Sequence, residues 1–298
     1  MGHTARGMAP FAWPDGHRAA LSLTFDVDAE SAILAVDPKY AGRLSTMSHQ
    51  AYGPKVGVPR IMRMLERTGV RGTFFVPGFT ADLHPAMVEA IVAAGHELGH
   101  HGYSHVPYHR MTDDEQKRDI ERAFASLEKV TGLRPEGFRA PWWELTNSTP
   151  GILADFGVTW DSSMMDDDRP YLLDTGRGIL AELPVHWMLD DWEQYAFLPE
   201  PHIGAVIESP AKVLDLWGGE LEALADEGGL MMHTSHPFLS GRPSRVVTLQ
   251  RVVERARELG GVWIAPAGEI AAHARTAIAA ADARPVPIVQ LEEDVYGG

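Results

Sequence analysis

At 298 residues the chain can bury roughly three quarters of its unfolded surface, so one large domain needs no disulfide or metal to hold it together. Lys and Arg number 26 against 41 Asp and Glu, a net charge of −15 that repels phosphate backbones and anionic lipid and argues against nucleic acid and membranes as partners. Cysteine is absent, which excludes disulfides, thiolate metal sites and cysteine nucleophiles. Residues 1–8 have neither an apolar core nor a small-residue cleavage site. No run approaches the roughly 20 apolar residues that span a bilayer, so a cytoplasmic location is expected.

In chain order, residues 18–28 read as a buried strand running into acidic residues. Residues 29–56 are small, polar and aromatic without periodicity, and are expected to form an irregular lid or pocket wall. Helical spacing then covers 58–68 and stops at Gly69. Residues 71–76 read as a strand, 84–94 as a helix, and 97–98 as a short strand leading into histidines. A long amphipathic helix is predicted over 113–130, with Thr112 and Glu115 placed for a capping box. The alternation continues with strands at 137–139, 158–160, 180–185, 229–233 and 262–264, and helices at 149–156, 211–225 and 246–259.

Strands separated by helices imply parallel βαβ units, and about seven of them fit a closed or nearly closed α/β barrel. We expect a single domain over 1–275. The alanine-rich and then proline-containing tail, 276–298, is expected to be an interface arm or disordered. In such barrels chemistry gathers at the strand C-termini, where Asp26, Asp28, His101, His105, Arg139, Asp161, His233 and His236 all fall.

Two imidazoles four apart, His101 and His105, can converge on one ion from a helix or a tight turn, while His100 is assigned a supporting role. A lone His-x-x-x-His is usually a pair of polar loop residues. Here Asp26 and Asp28 flank Val27 at another strand end and point the same way if the strand continues. One carboxylate can then hold a cation while the other accepts a proton from water whose pKa the cation has lowered toward roughly 7. Arg139 can grip a carboxylate bidentately, although alone it reads as a surface arginine. Trp142 and Trp143 offer flat apolar faces. His233 and His236 are the candidate general acids, with Asp161 or the acids of Asp190-Asp191-Trp192 as tuning partners. We take Trp142, Asp161 and Trp192 as candidate substrate-binding residues.

The motifs Thr24-Phe25-Asp26-Val27-Asp28, His101-Gly102-Tyr103-Ser104-His105, Arg139-Ala140-Pro141-Trp142 and a late strand-end histidine resemble the polysaccharide deacetylase superfamily, carbohydrate esterase family 4. Asp161-Ser162-Ser163, Glu182-Leu183-Pro184-Val185, Asp190-Asp191-Trp192 and His236-Pro237 narrow the resemblance to a bacterial subgroup of cytoplasmic peptidoglycan deacetylases and metal-independent allantoinases. The resemblance implies a distorted (β/α)7 barrel of the NodB-homology type. It makes Asp26 the base and Asp28, His101 and His105 the metal ligands. Arg139 orients the base, Trp142 walls the pocket, and His236, or secondarily His233, is the acid. It also implies a homo-oligomer, tetramer or dimer.

The expected activity is metal-dependent hydrolysis of a non-peptide C–N bond, most simply N-deacetylation of an acetamido sugar or related amide. The alternatives are cyclic amidase ring opening and a catalytically silent carbohydrate-binding protein. One divalent ion is expected, zinc by default, with cobalt, nickel, manganese or iron also accommodated by two imidazoles and a carboxylate. Two departures bear on the substrate: Val27 separates aspartates that the wider family has adjacent, and no export signal is evident. The first is shared with the narrower subgroup; the second favours a cytoplasmic amide or a small N-acetylated sugar over cell-wall polymer.

Overall fold

A computed structural model describes residues 11–289. The N-terminal segment read above for an export signal lies outside the described residues. The elements run β1 (Ala19–Asp26), α1 (Ser31–Leu34), α2 (Leu44–Tyr52), α3 (Val58–Thr68), β2 (Thr73–Val76), α4 (Gly78–Leu83), α5 (Pro85–Ala93) and β3 (Glu97–His100). They continue with α6 (Asp113–Thr131), β4 (Gly137–Phe138), α7 (Thr149–Asp155), β5 (Trp160–Asp161), β6 (Tyr171–Asp174), β7 (Ile179–Glu182) and α8 (Trp192–Tyr195). The last are α9 (Pro210–Glu227), β8 (Leu230–Ser235), α10 (Pro237–Ser240), α11 (Pro243–Leu259), β9 (Val262–Ile264), α12 (Ala267–Ala277) and β10 (Arg284–Pro285).

Parallel pairing runs in the order β7-β5-β4-β3-β2-β1-β8, seven strands curved into a distorted (β/α)7 barrel. The ladder does not close. Between its two ends β8 is met by loops, through the bridge from Asp190 to Thr234 and the Leu230 N–H donating to the Asp168 carbonyl at 2.8 Å. β1 is the central strand: every residue in it is buried, β8 lines one edge, and β9 and β2 share the other. A parallel strand covered on both faces reads as a continuous apolar run, which is why it is legible in the sequence. The capping box on α6 forms as predicted: the Thr112 hydroxyl accepts from Glu115 N, and the Glu115 carboxylate accepts from Thr112 N at 2.8 Å.

Three features differ from the sequence reading. Residues 29–56 are helical rather than irregular: α1, a short 3-10 turn over Pro38–Gly42, α2, and a π-helical turn over Gly53–Gly57 that joins α2 to α3. Few apolar residues in this stretch face the core, so no periodicity announces it, and Gly53-Pro54 imitates a break. The second is β6, which pairs antiparallel with β7 across a turn at 175–178. Short and flanked by acids, it carries little apolar signal. In the third, the C-terminal stretch described to residue 289 returns to the chain's own sheet. There β10 pairs with β6, and Arg284 meets Asp167 at 2.6 Å and stacks on Tyr171. Residues 290–298 lie outside the described residues. Among the described residues no helix is long and apolar enough to cross a membrane.

The π turn has a packing cause. It seats Gly57 against Pro237, and a Cβ built at Gly57 would lie well inside contact distance of the Pro237 carbonyl oxygen. A Cβ at Gly241 would meet both that carbonyl oxygen and the Gly57 backbone. The segment immediately after His236 is therefore clamped between backbones rather than side chains. Gly57→Ala must push it aside, so we expect a loss of at least about 1–3 kcal/mol in urea unfolding. An unchanged midpoint would show that the loop has room to yield.

Candidate metal and active site

Four strand ends converge on one cavity. β1 delivers Asp26 and, past its end, Asp28; the loop after β3 delivers His101 and His105; the loop after β4 brings Trp142 and Trp143; and the turn after β8 brings His236. The cavity encloses about 260 Å³ and is walled by Trp142, Trp143, Trp187 and Trp192, with Asp190 and Glu193 near His236.

The histidine pair sits on a turn rather than a helix. Gly102 and His105 both have left-handed backbone, φ 65° and 60°, which folds the chain back so that the two rings meet with centroids 5.0 Å apart. Asp119 of α6 fastens this loop, accepting from Tyr103 N at 2.7 Å, Ser104 N at 3.0 Å and the Ser104 hydroxyl at 2.7 Å. His101 Nδ1 donates to the Arg139 carbonyl at 2.7 Å, which turns its Nε2 lone pair inward. His100 faces the other way: its Nε2 meets the Ile120 carbonyl and its ring packs on Phe124 and Phe138, the supporting role expected of it.

Asp28 lies at the centre. Its Oδ1 stands 3.4 Å from His101 Nε2, and its Oδ2 stands 3.3 Å from His105 Nε2 and 3.4 Å from His236 Nε2. Donor atoms this close can be drawn onto one ion, whose bonds run at about 2.0–2.2 Å. One donor atom each from Asp28, His101 and His105 forms a mutually close, fully buried group, and Asp28 Oδ1 accepts no hydrogen bond. The residues therefore fit a divalent cation. Burial alone would raise the Asp28 carboxyl, but the facing imidazoles of His105, His101 and His236 hold it well below the usual carboxylate range. Burial keeps His105 down at about 4, so it offers a neutral lone pair.

Asp26 is turned toward Arg139. Their Oδ1 and guanidinium nitrogen are 2.8 Å apart, while Asp26 Oδ2 remains 3.9 Å from His101. Arg139 has no exposed surface; it also donates to Thr24 Oγ1 at 2.8 Å, the Ser162 carbonyl at 3.1 Å and the Ser162 hydroxyl at 2.9 Å, and lies over the Phe75 ring. The grip on Asp26 is through one nitrogen, with the rest of the fork spent on the scaffold.

His236 is oriented from behind. Asp191 Oδ1 accepts from both its backbone N–H at 2.9 Å and its ring Nδ1 at 2.8 Å, and Asp190 stands 3.4 Å away. Burial alone would depress this histidine, but Asp190, Asp191 and Asp28 overcome that and hold its pKa well above the ordinary value. Nε2 is left pointing at the cavity.

Two expected site residues lie elsewhere. His233 is inside β8 with its ring edge-on against Trp217, centroids 4.3 Å apart, on the face turned away from the cavity, so the structure does not bring it to the reacting centre. It stands three positions before His236, an odd step that strand alternation sends to opposite faces. Asp161 is buried beneath Arg139, accepting from the Ser163 hydroxyl, and does not line the cavity. Trp142 and Trp192 do line it. The sequence reading missed Trp187, which stacks on Trp143 at 4.4 Å, as well as Glu193 and the anchoring role of Ser162. They sit in single-turn helices or a loop too short to show periodicity, and no spacing flags them.

Fold and site together define a distorted (β/α)7 barrel carrying a buried carboxylate–histidine centre at its strand C-termini. Residues 51–160 match the profile of the family described as polysaccharide deacetylase. The peptidoglycan deacetylase of Helicobacter pylori is 28% identical over 268 residues, covering 80% of this chain and 90% of that protein. The crystal structure of a Mycobacterium smegmatis protein assigned as a polysaccharide deacetylase superposes with a TM-score of 0.91 at 47% identity, covering 95% of this chain and 98% of that one. The PuuE allantoinase structure, 24% identical with a TM-score of 0.78 over 90% of this chain and 94% of its own, shares the fold. The chain belongs to the polysaccharide deacetylase family.

The position of His233 makes one prediction. Burial depresses its pKa to about 3, so the unfolded chain binds a proton that the folded chain refuses. Between the unfolded pKa near 6.5 and about 3, stability must therefore fall with acidification, by up to ~1.4 kcal/mol per pH unit from this group. His233→Phe keeps the edge contact with Trp217 and should flatten that acid limb in pH-dependent urea unfolding. An unaltered slope would mean that the ring is already solvated.

Proposed function

We propose that the protein is a metal-dependent amidohydrolase that removes an acetyl group from the nitrogen of an acetamido sugar. The observation that carries this reading is the convergence of Asp28, His101 and His105 beside a separately anchored Asp26 and a His236 backed by two aspartates. Asp28, His101 and His105 would hold the ion, zinc first among the metals such donors accept. A cation there polarises the amide carbonyl and lowers the pKa of water toward roughly 7.

The chain's own groups do the remaining work. Asp26, fixed by Arg139, is placed to take the proton of the attacking water. His236, charged and held by Asp191, is placed to give a proton from Nε2 to the departing nitrogen, so that acetate and a free amine leave. The indole walls exclude water and offer flat faces to a sugar ring. At about 260 Å³ the cavity is slightly below the roughly 300–1,000 Å³ usual for ligand pockets. It suits one acetamido-bearing unit, with any longer glycan outside.

Both the named peptidoglycan deacetylase relative and the intact acid–base pair support deacetylation over a silent binder. The intact ligands support it over metal-free ring opening. Trp142 and Trp187 remain 37% and 42% exposed at the mouth, which suits a homo-oligomer whose neighbouring chain covers that rim. We place it in the cytoplasm.

Calorimetric titration of zinc into chelator-stripped protein should give one tight equivalent per chain. Asp28→Asn should weaken zinc by more than the roughly 10–100-fold typical of losing an outer partner. Full affinity in that variant would remove Asp28 from the ligand set. Asp26→Asn should still bind one zinc while amine release from N-acetylchitooligosaccharides falls about 10²–10⁴-fold. Undiminished turnover would reassign the base.

A further inference from the structure

Behind Arg139, away from the cavity, two acids meet with no solvent. Asp161 and Glu182 are register partners on the parallel strands β5 and β7, and both are fully buried. As register partners on adjacent parallel strands their side chains lie on one face of the sheet, and two carboxyls so placed without solvent can share a hydrogen bond only if one of them is protonated. Glu182 Oε1 accepts two backbone N–H groups, from Ser163 at 3.1 Å and Met164 at 2.9 Å. Asp161 Oδ1 accepts from the Ser163 hydroxyl at 2.9 Å. Asp161 Oδ2 and Glu182 Oε2 have no donor, so one proton between the carboxyls satisfies both.

We infer that Asp161 and Glu182 are a one-proton carboxyl pair in which Glu182 is the neutral donor, and that Glu182 is a positioning residue for Asp26 acting through Ser162 and Arg139. The route is contiguous. Glu182 pins the amides of residues 163 and 164, Ser162 between them and Asp161 accepts two of the Arg139 hydrogen bonds described above through its carbonyl and hydroxyl, and Arg139 holds Asp26. The pair also leaves a single negative charge, on Asp161, to balance a guanidinium otherwise matched only by Asp26.

The charged and titratable neighbours agree with this. Burial and the adjacent Asp161 push Glu182 well up, and burial lifts Asp161 only to about 6 because Glu182, Ser163 and Arg139 oppose it. Tyr171 beside Glu182 and Tyr108 near Asp161 are both pushed up by burial and stay neutral.

The positioning role rests on the proposed assignment of Asp26 as base, but the shared proton does not. The test uses the full zinc-loaded chain. Infrared difference spectra of the parent protein against Glu182→Gln at neutral pH should show a protonated carboxylic acid stretch that the variant lacks. Identical spectra would overturn the pair. With N-acetylchitotetraose as probe, Glu182→Ala should lower kcat by about 10–100-fold with KM little changed, as loss of a supporting partner does. Glu182→Gln, which reproduces a neutral donor and the amide-accepting oxygen, should restore most of it. Equal damage from both variants would mean that Glu182 is ionised. If the parent itself fails to turn over the probe, the deacetylase reading falls, and the infrared result with the hydrogen-exchange protection of the Arg139 Nε–H still decides. That proton should exchange freely in Glu182→Ala alone, and unchanged protection there would sink the positioning route.

Discussion

A guanidinium with no exposed surface, Arg139, sits at the junction of β1, β4 and β5 and uses every arm of its fork. A charge in such a place is tolerated only if its partners are complete, and removing one of them typically costs about 3–5 kcal/mol. Asp26 is therefore locked by the same contacts that keep the barrel's interior electrically balanced. Position and charge of the candidate base follow from a constraint on folding. Function and stability share these atoms.

The rest of the centre is arranged around that fixed point. The Arg139 backbone carbonyl receives the His101 Nδ1 proton, so the residue that anchors Asp26 also sets the tautomer of a neighbouring candidate ligand. Asp28, just beyond the strand, is surrounded by three imidazole Nε2 atoms at nearly equal distance, yet only two of those rings lack an acidic partner behind them. Asp190 and Asp191 draw the third, His236, toward proton transfer. On the proposed reading, one carboxylate surrounded by three histidines divides into two ligands and an acid by what stands behind each ring.

Strain is concentrated at the mouth. Trp142 and Trp143 have φ near 61° and 55°, a region that bulky side chains rarely adopt, and each such residue costs of order 1–3 kcal/mol. The loop keeps this geometry because Pro141 and Trp143 are buried, with Trp143 stacked on Trp187. What the strain achieves is placement of both indoles over the ligand cluster. Across the cavity, Gly57 and Gly241 let helix and loop backbones touch around Pro237, fixing the segment that follows His236.

The alternation of apolar strands with helices, the chain order of Asp26, Asp28, His101, His105, Arg139 and His236, and the capping box on α6 were all readable from the residues. They depend on local periodicity, on motif spacing and on side chains whose chemistry has few uses. What tertiary structure alone decided is which atoms face each other. His233 and His236 are equivalent as letters, and only the end of β8 turns one toward Trp217 and the other toward Asp28. Asp161 reads as a cavity residue until Glu182, on a strand distant in sequence, meets it below the floor. The helical character of 29–56 was hidden because its support comes from packing on Pro237 and Phe238 rather than from an amphipathic stripe. Spacing along a chain encodes faces of single elements; the partners those faces meet are set by how the elements close around β1.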